Sequence, residues 1–205
     1  MKLFRFAVVV VLFALIPGCK KTADTTPNYK SAINSYYEAH PACLFANEKR
    51  FPVQSSPDDA KTEGYDALVD AGLLTRTTSE KKIIIVSKRE NNYDISENGR
   101  SAWTTDPNQP GYGNFCYGHR SVSSIDSSTP TSDQPGATTT VNYHYTMNGV
   151  PAWANAAETQ TAFPRLRENL AGVGTATLTN TSNGWQVTGS PGNTSATPAD
   201  GRIVQ

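Results

Sequence analysis

Eleven consecutive apolar residues, Phe6 to Ile16, follow Lys2 and Arg5 and run into Pro17, Gly18 and Cys19; no other stretch restricts this chain as much. A positive start, a short apolar run and small residues at its end are the layout of a cleavable export signal. The run is short for a membrane-spanning helix, which needs about 20 apolar residues. Residues 1–18 are therefore expected to be removed, leaving 187 of the 205 residues to fold in an oxidising compartment.

Leu15, Ile16 and Gly18 before Cys19 resemble the lipobox of bacterial lipoproteins, with Pro17 departing from the usual pattern. The resemblance implies diacylglycerol on the Cys19 thiol, cleavage before Cys19, acylation of the freed amine by a chain such as palmitate, and retention on a membrane. Two or more acyl chains hold stably, each buried methylene adding about 0.8 kcal/mol. Lys20, where lipoproteins kept in the inner membrane carry Asp, implies the outer membrane, facing the periplasm. An ordinary secretory signal with an incidental cysteine is the alternative. With Cys19 given to lipid, Cys43 and Cys116 remain, and an even pair in an oxidising compartment reads most simply as a disulfide. It would close a loop of about 74 residues and restrain the unfolded chain by about 4 kcal/mol in the chain-entropy picture. Two unpaired buried thiols, or one reactive thiol, are the other readings. Neither cysteine has a CxxC neighbour, so neither reads as a redox or zinc site.

Without Lys2 and Arg5 the chain keeps 16 basic against 18 acidic residues. Binding to nucleic acid needs a concentrated positive field, so nucleic acid is not an expected partner. Lys20 to Asn28 is polar, and with Cys19 it reads as a tether over 19–28, reaching about 15–20 Å from the anchor. Tyr29, Ile33, Tyr36 and Tyr37 have helical spacing up to Pro41, which stops a helix at His40. Residues 42–57 read as a packed loop around Cys43. Asp58 to Leu74 places Tyr65, Leu68, Val69 and Leu73 on one helical stripe, acids in its first turn and Gly72 at its end. Lys82 to Val86 reads as a strand, Ser87 to Asn92 as a polar turn, and Tyr93 to Ile95 as the return, after which Ser96 caps a helix through Glu97, Arg100 and Trp103.

A helix ending in Ala71-Gly72-Leu73-Leu74, a hairpin, then Tyr93-Asp94-Ile95-Ser96-Glu97-Asn98-Gly99-Arg100 resembles the second half of a winged-helix domain. In that superfamily a "GL" turn leads into a wing and a "Y-x-L-T-x-x-G-R" segment returns from it; Ile95 and Ser96 stand for the Leu and Thr. The likeness covers residues 58–103 and implies a winged-helix-like part over 29–103. Winged helices are best known for binding DNA, but Asp58, Asp59, Glu63, Asp66 and Asp70 oppose only Lys61 here and would repel phosphate. The basic residues Lys81, Lys82, Lys88 and Arg89 fall in the hairpin, as a solvated tip or a site for an anionic lipid or glycan.

Residues 104–113 (TTDPNQPGYG) read as a linker, and those after it as β. Phe115 to Ile125 is a strand candidate, Ser127 to Gly136 a turn region. In Thr138 to Met147, Val141, Tyr143, Tyr145 and Met147 alternate with Asn142, His144 and Thr146, the period of a half-buried strand. Asn148-Gly149 is a hairpin signal returning the chain through Val150 to Trp153, with Pro151 confining that part to an edge. Ala156 to Leu170 reads as helical in pieces with Pro164 at a start. A second hairpin, Thr175 to Thr179 with Trp185 to Thr188, turns at Asn183-Gly184 and closes the β part over 114–188, leaving 189–205 a tail of disordered composition.

Chemistry is sparse. His40, His119 and His144 stand alone, so no metal set is assembled. Ser79-Glu80-Lys81-Lys82 matches S-x-x-K only formally, without its companion motifs. Gly111-Tyr112-Gly113 and Gly172-Val173-Gly174 lack the rest of a phosphate loop and read as turns. Tyr112, Phe115, Tyr117, Tyr143, Tyr145, Trp153 and Trp185 could stack on sugars, but at strand period they read as packing. No catalytic, cofactor-binding or metal residues are assigned.

The expectation is an α+β protein: a helical winged-helix-like part packed, and bridged by Cys43–Cys116, with an antiparallel β part carrying one helix. Its expected role is a membrane-anchored, periplasm-facing lipoprotein that binds an envelope protein without catalysis. The alternatives are a lipoprotein inhibitor or immunity protein against an envelope-acting enzyme, and a cell-wall-active hydrolase with a dispersed site. Cys19→Ala is expected to abolish labelling of the chain by radioactive fatty acid, and undiminished labelling would remove the anchor assignment.

Overall fold

In the computed structural model, which describes residues 26–83 and 86–193, the fold is α+β, with helices set against two antiparallel sheets. The expected signal segment, Cys19 and most of the expected tether lie outside the described residues. The first helix, α1, begins earlier than Tyr29, at Thr26, and runs to Ala39, so the last three residues read as tether are helical. The packed loop contains three short strands, β1 (Ala42–Cys43), β2 (Lys49–Arg50) and β3 (Val53–Ser55). These have too few residues to show a period, and it is their distant partners that make them strands.

Helix α2 (Ala60–Asp70) is capped by Asp59, whose side chain accepts from the Lys61 N–H. It ends through Gly72, whose φ of 74° is a left-handed turn that favours glycine; the Leu73 N–H donates back to Leu68 O at 2.8 Å. Tyr65, Leu68 and Leu73 are buried, as their stripe requires, and Val69 is half-buried. The hairpin that follows is longer than its sequence suggests: β4 (Leu74–Ile83) pairs with β5 (Val86–Ile95), with Ile83 opposite Val86. Ser87 to Asn92 is therefore strand and not turn, and Ile84 and Ile85 of the expected Lys82 to Val86 strand fall outside the described residues. Along this polar run Glu80 lies opposite Arg89, Lys88 and Arg89 are exposed, and the buried Asn91 is satisfied by the Thr78 hydroxyl, which donates to its Oδ1 at 2.9 Å. β3 completes the small sheet in the order β3-β5-β4.

Ser96 caps α3 (Glu97–Ala102), accepting from the Gly99 N–H while its hydroxyl donates to Gly72 O at 2.6 Å. Gly99 lies on the Leu73 backbone, where a Cβ would overlap the Leu73 carbonyl. The Ser-x-x-Gly spacing thus has a physical reason: one residue locks the end of α2 to the start of α3, and the other lets them touch. The order α2, hairpin, α3 is the one that carried the winged-helix resemblance. Trp103 is not in that helix but opens β6 (Trp103–Thr105).

The expected linker contains β6, which pairs with β7 (Tyr112–Ser128). β7 is the first strand expected after the linker, longer at both ends. Its first part pairs with β1, β2 and β6, its second with β8 (Thr138–Asn148). In β8, Val141, Tyr143 and Tyr145 are buried and His144 and Thr146 exposed, the alternation the sequence predicts. Gly149 has φ 73°, yet Asn148-Gly149 makes no hairpin: the chain enters a 3₁₀ turn (Ala152–Asn155), then α4 (Ala157–Ala162) and α5 (Pro164–Glu168). Pro151 and the missing return strand agree, since Pro cannot donate to a ladder. β8 pairs instead with β9 (Ala171–Thr181).

Gly172-Val173-Gly174 is part of β9 and not a turn, because these glycines let tyrosines cross the strand: a Cβ on Gly172 would lie 2.8 Å from Tyr145 Oη, and one on Gly174 2.5 Å from Tyr143 Cζ. β10 (Gly184–Val187) returns from the expected Asn183-Gly184 turn. In the expected tail, β11 (Gly192–Asn193) pairs with β9 at Thr175 and Gly174; the rest of it lies outside the described residues.

Two apolar clusters form. Phe45, Tyr65, Leu68, Leu73, Tyr93, Phe115 and Leu166 belong to the first, and Tyr29, Ile33, Val122, Val141, Tyr143 and Leu178 to the second. α1, grouped by sequence with the winged-helix-like part, packs in the second cluster on the larger sheet. Gly99→Ala is expected to cost at least about 2 kcal/mol by overpacking, read as a lower urea midpoint, whereas Ser101→Ala on the exposed side of α3 changes it little; equal effects would refute the close approach.

Candidate functional site

Cys43 and Cys116, 73 positions apart in sequence, form the expected disulfide. They are direct partners in the β1–β7 pairing. Beside them the buried Asn114 amide imitates a strand: its Oδ1 accepts from the Phe45 N–H at 3.0 Å and its Nδ2 donates to Phe45 O at 2.8 Å. This site is structural, and it fixes the first cluster against β7.

A broad depression on the surface is acidic. It lies between α2 and α4, has a volume of about 770 Å³, and is lined by Asp58, Asp59, Glu63, Asp66, Asp70 and, from the facing helix, Glu158. Residues 59, 63, 66 and 70 recur at helical spacing and share one face, while Tyr65 and Leu68 on the opposite face are buried. Helix α2 therefore turns its carboxylates outward because its apolar stripe turns inward. Sequence periodicity predicts the acidic face; Glu158, about ninety positions away, becomes part of it only through tertiary packing of α4 on α2.

The carboxylates are not equivalent. Asp66 Oδ1 accepts from Arg76 Nη1 and from the Tyr93 hydroxyl, both at 2.7 Å. Tyr93 is fully buried; burial first, then the hydrogen bond to Asp66, pushes its phenol above the ordinary range, so it stays a donor. The Asp66 hydrogen bond and charge likewise raise the Arg76 pKa. Asp66 is thereby committed to tying α2 to β4 and β5. Asp58, Asp59, Glu63, Asp70 and Glu158 are exposed and face the groove. The hairpin cations Lys88 and Arg89 do not stand on an isolated tip: with Asp58 and Glu80 they border a neighbouring depression of about 430 Å³.

Other residues singled out by sequence lie apart. His40 stacks on Tyr36, with ring centroids 4.1 Å apart. His144 Nε2 lies 3.1 Å from Asp126 Oδ2. His119 is on β7 opposite Asn148. Among the described residues no group of three or more His, Cys, Asp or Glu side chains is placed to hold a metal. Ser79 and Lys82 both lie on β4. Phe115, Tyr117, Tyr143 and Tyr145 are buried, the packing role expected of them, and Tyr112, Trp153 and Trp185 are half-buried.

A polar seam that sequence reasoning missed joins the two clusters. Arg120 lies over the rings of Tyr37 and Tyr145, 5.5 and 4.6 Å from their centroids. Its Nη2 donates to Asn169 Oδ1 at 3.0 Å, and Asn169 Nδ2 donates to Tyr117 Oη at 3.1 Å. The Tyr37 and Tyr143 hydroxyls are 2.7 Å apart. Burial raises the Tyr143 and Tyr117 pKa values, with the Tyr37 hydrogen bond adding to the first.

Tyr93→Phe is expected to cost about 1–2 kcal/mol through the lost buried hydrogen bond, seen as a lower urea midpoint, while Asp70→Asn leaves the midpoint unchanged. An equal loss from Asp70→Asn would mean that the whole acidic face is structural. Comparison with protein-family models, with curated proteins and with solved structures gave no match, and the reading of the groove rests on its own chemistry.

Proposed function

We propose that this chain is a lipid-anchored, non-enzymatic protein of a bacterial envelope that docks a basic segment of a partner protein in the acidic groove between α2 and α4. The observation that carries the docking is the opposition of Glu158 on α4 to the exposed carboxylates of α2 across one groove. A Lys- or Arg-bearing segment laid there meets charge on both walls. Complementary charge of this kind acts mainly on specificity and encounter rate. The committed Asp66 leaves the groove its shape, and Asp59, Glu63 and Asp70 supply the field.

Export is supported by the Cys43–Cys116 bridge, since such bridges persist in oxidising compartments. The pairing leaves Cys19, at the end of the apolar run, as the cysteine for lipid, and the proposed placement is the periplasmic face of the outer membrane. Helix α1 starts at Thr26, which shortens the proposed tether between Cys19 and the fold.

A deca-lysine peptide serves as probe. Combined Asp59→Asn, Glu63→Gln and Asp70→Asn substitution is expected to weaken its binding about tenfold or more in calorimetry, and added salt to weaken it for the unsubstituted chain, because screening acts on exposed charges. Asn remains a good helix cap, so α2 is retained. Equal binding by both chains, or binding indifferent to salt, would overturn the groove as a docking site.

A further inference from the structure

β10 is the last strand of the larger sheet: β9 pairs on one side, and among the described residues no strand lies on the other. The Thr188 N–H donates to Thr177 O at 2.8 Å, and the register continues with Val187 opposite Leu178, Gln186 opposite Thr179 and Trp185 opposite Asn180. Hydrogen-bonded and non-bonded pairs alternate along an antiparallel ladder. Gln186 therefore bonds toward β9, and the N–H and C=O groups of Trp185 and Val187 point outward.

They open onto a groove of about 610 Å³ whose other wall is a single stripe of α1, Asn28, Ser31, Ala32, Ser35 and Tyr36. That stripe spans about 12 Å at 1.5 Å per residue, close to the roughly 13 Å of strand from Asn183 to Val187. The groove is as long as the strand that borders it.

Sheet edges are commonly guarded by charge, proline or a bulge. β4, an edge of the smaller sheet, carries Arg76, Glu80, Lys81 and Lys82. Asn183 to Val187 and the facing stripe of α1 hold no charged residue and no proline. An unguarded edge offering two outward donors and two outward acceptors fits another extended, uncharged backbone, and the same edge turned about a two-fold axis is one.

We propose that two copies of this chain associate by pairing β10 with β10, antiparallel, to form one continuous sheet. The outward groups dictate the register: Trp185 of each copy exchanges both backbone hydrogen bonds with Val187 of the other, and Gln186 lies on the axis opposite itself. The acidic groove would repel its own copy; this edge has no charge to do so.

The full chain is kept in solution by detergent and carries Cys19→Ser, so that an added cysteine is the sole free thiol. It is compared with Gln186→Cys and with Thr188→Cys, both at exposed positions. In the proposed register, residues 186 face each other at a Cα separation of about 4.5 Å, within disulfide range. Residues 188 are four steps out of register, about 13 Å apart. Mild oxidation is expected to yield about tenfold more covalent dimer from Gln186→Cys, read on a non-reducing gel. Equal yields, or none from either, overturn the proposal; the latter is also the outcome if residues 194–205 or a foreign strand occupy the edge. In sedimentation, Gln186→Glu, which sets two carboxylates opposite each other, is expected to shift the chain toward monomer, and a dimer indifferent to it would lie on another surface.

Discussion

Strand β7 has to satisfy two cores at once, and the rest of the molecule is arranged around that demand. Its first residues place Phe115 and Tyr117 in the cluster that α2 closes, and a few residues later Val122 enters the cluster that α1 closes. An ordinary strand buries one face against one layer. β7 changes partners along its length, from β1, β2 and β6 to β8, with register shifts after Val122 and Ile125. The disulfide and the Asn114 amide hold the first half where main-chain partners are only two or three residues long. The Arg120 seam holds the second half by placing a cation between aromatic faces, an arrangement worth more when desolvated.

Against this scaffold the two open surfaces differ in kind. The α2–α4 groove presents charge without backbone, and the β10 edge presents backbone without charge. As proposed, the first selects by the sign of its partner and the second by its conformation. Asp66 belongs to the acidic surface by position but to the scaffold by its bonds to Arg76 and Tyr93; Glu63 and Asp70, its two exposed neighbours on α2, owe the fold much less. A charged face can thus change partner affinity with little change in stability.

What could be read from the sequence was what depends on neighbours in sequence. The Ser96 cap, Pro164 at a helix start, the Gly184 turn and the alternation from Val141 to Tyr145 all use contacts within a few residues. The Cys43–Cys116 pair was legible by arithmetic and compartment rather than by geometry. What failed was set from afar. Ser87 to Asn92 looked like a turn because all six of its residues are polar and show no apolar alternation, and only its pairing with β4 makes it strand. Gly172-Val173-Gly174 looked like a turn because the tyrosines it accommodates are about thirty residues away. Gly149 does turn the chain, but Pro151 denies it a returning strand. The acidic face of α2 was visible as a stripe, while Glu158, which makes that face a groove, was not.

Residues 104–113 have the composition at which a chain is commonly divided, but β6 enters them at one end and pairs with β7, which begins at Tyr112 within them. A break there would leave the upstream piece with three strands that have lost their common partner, and the downstream piece with half of β7 uncovered. A gene segment ending at this stretch would carry β1, β2 and β6 away from β7, the strand they pair with, and inheritance of the two halves together is the expected consequence.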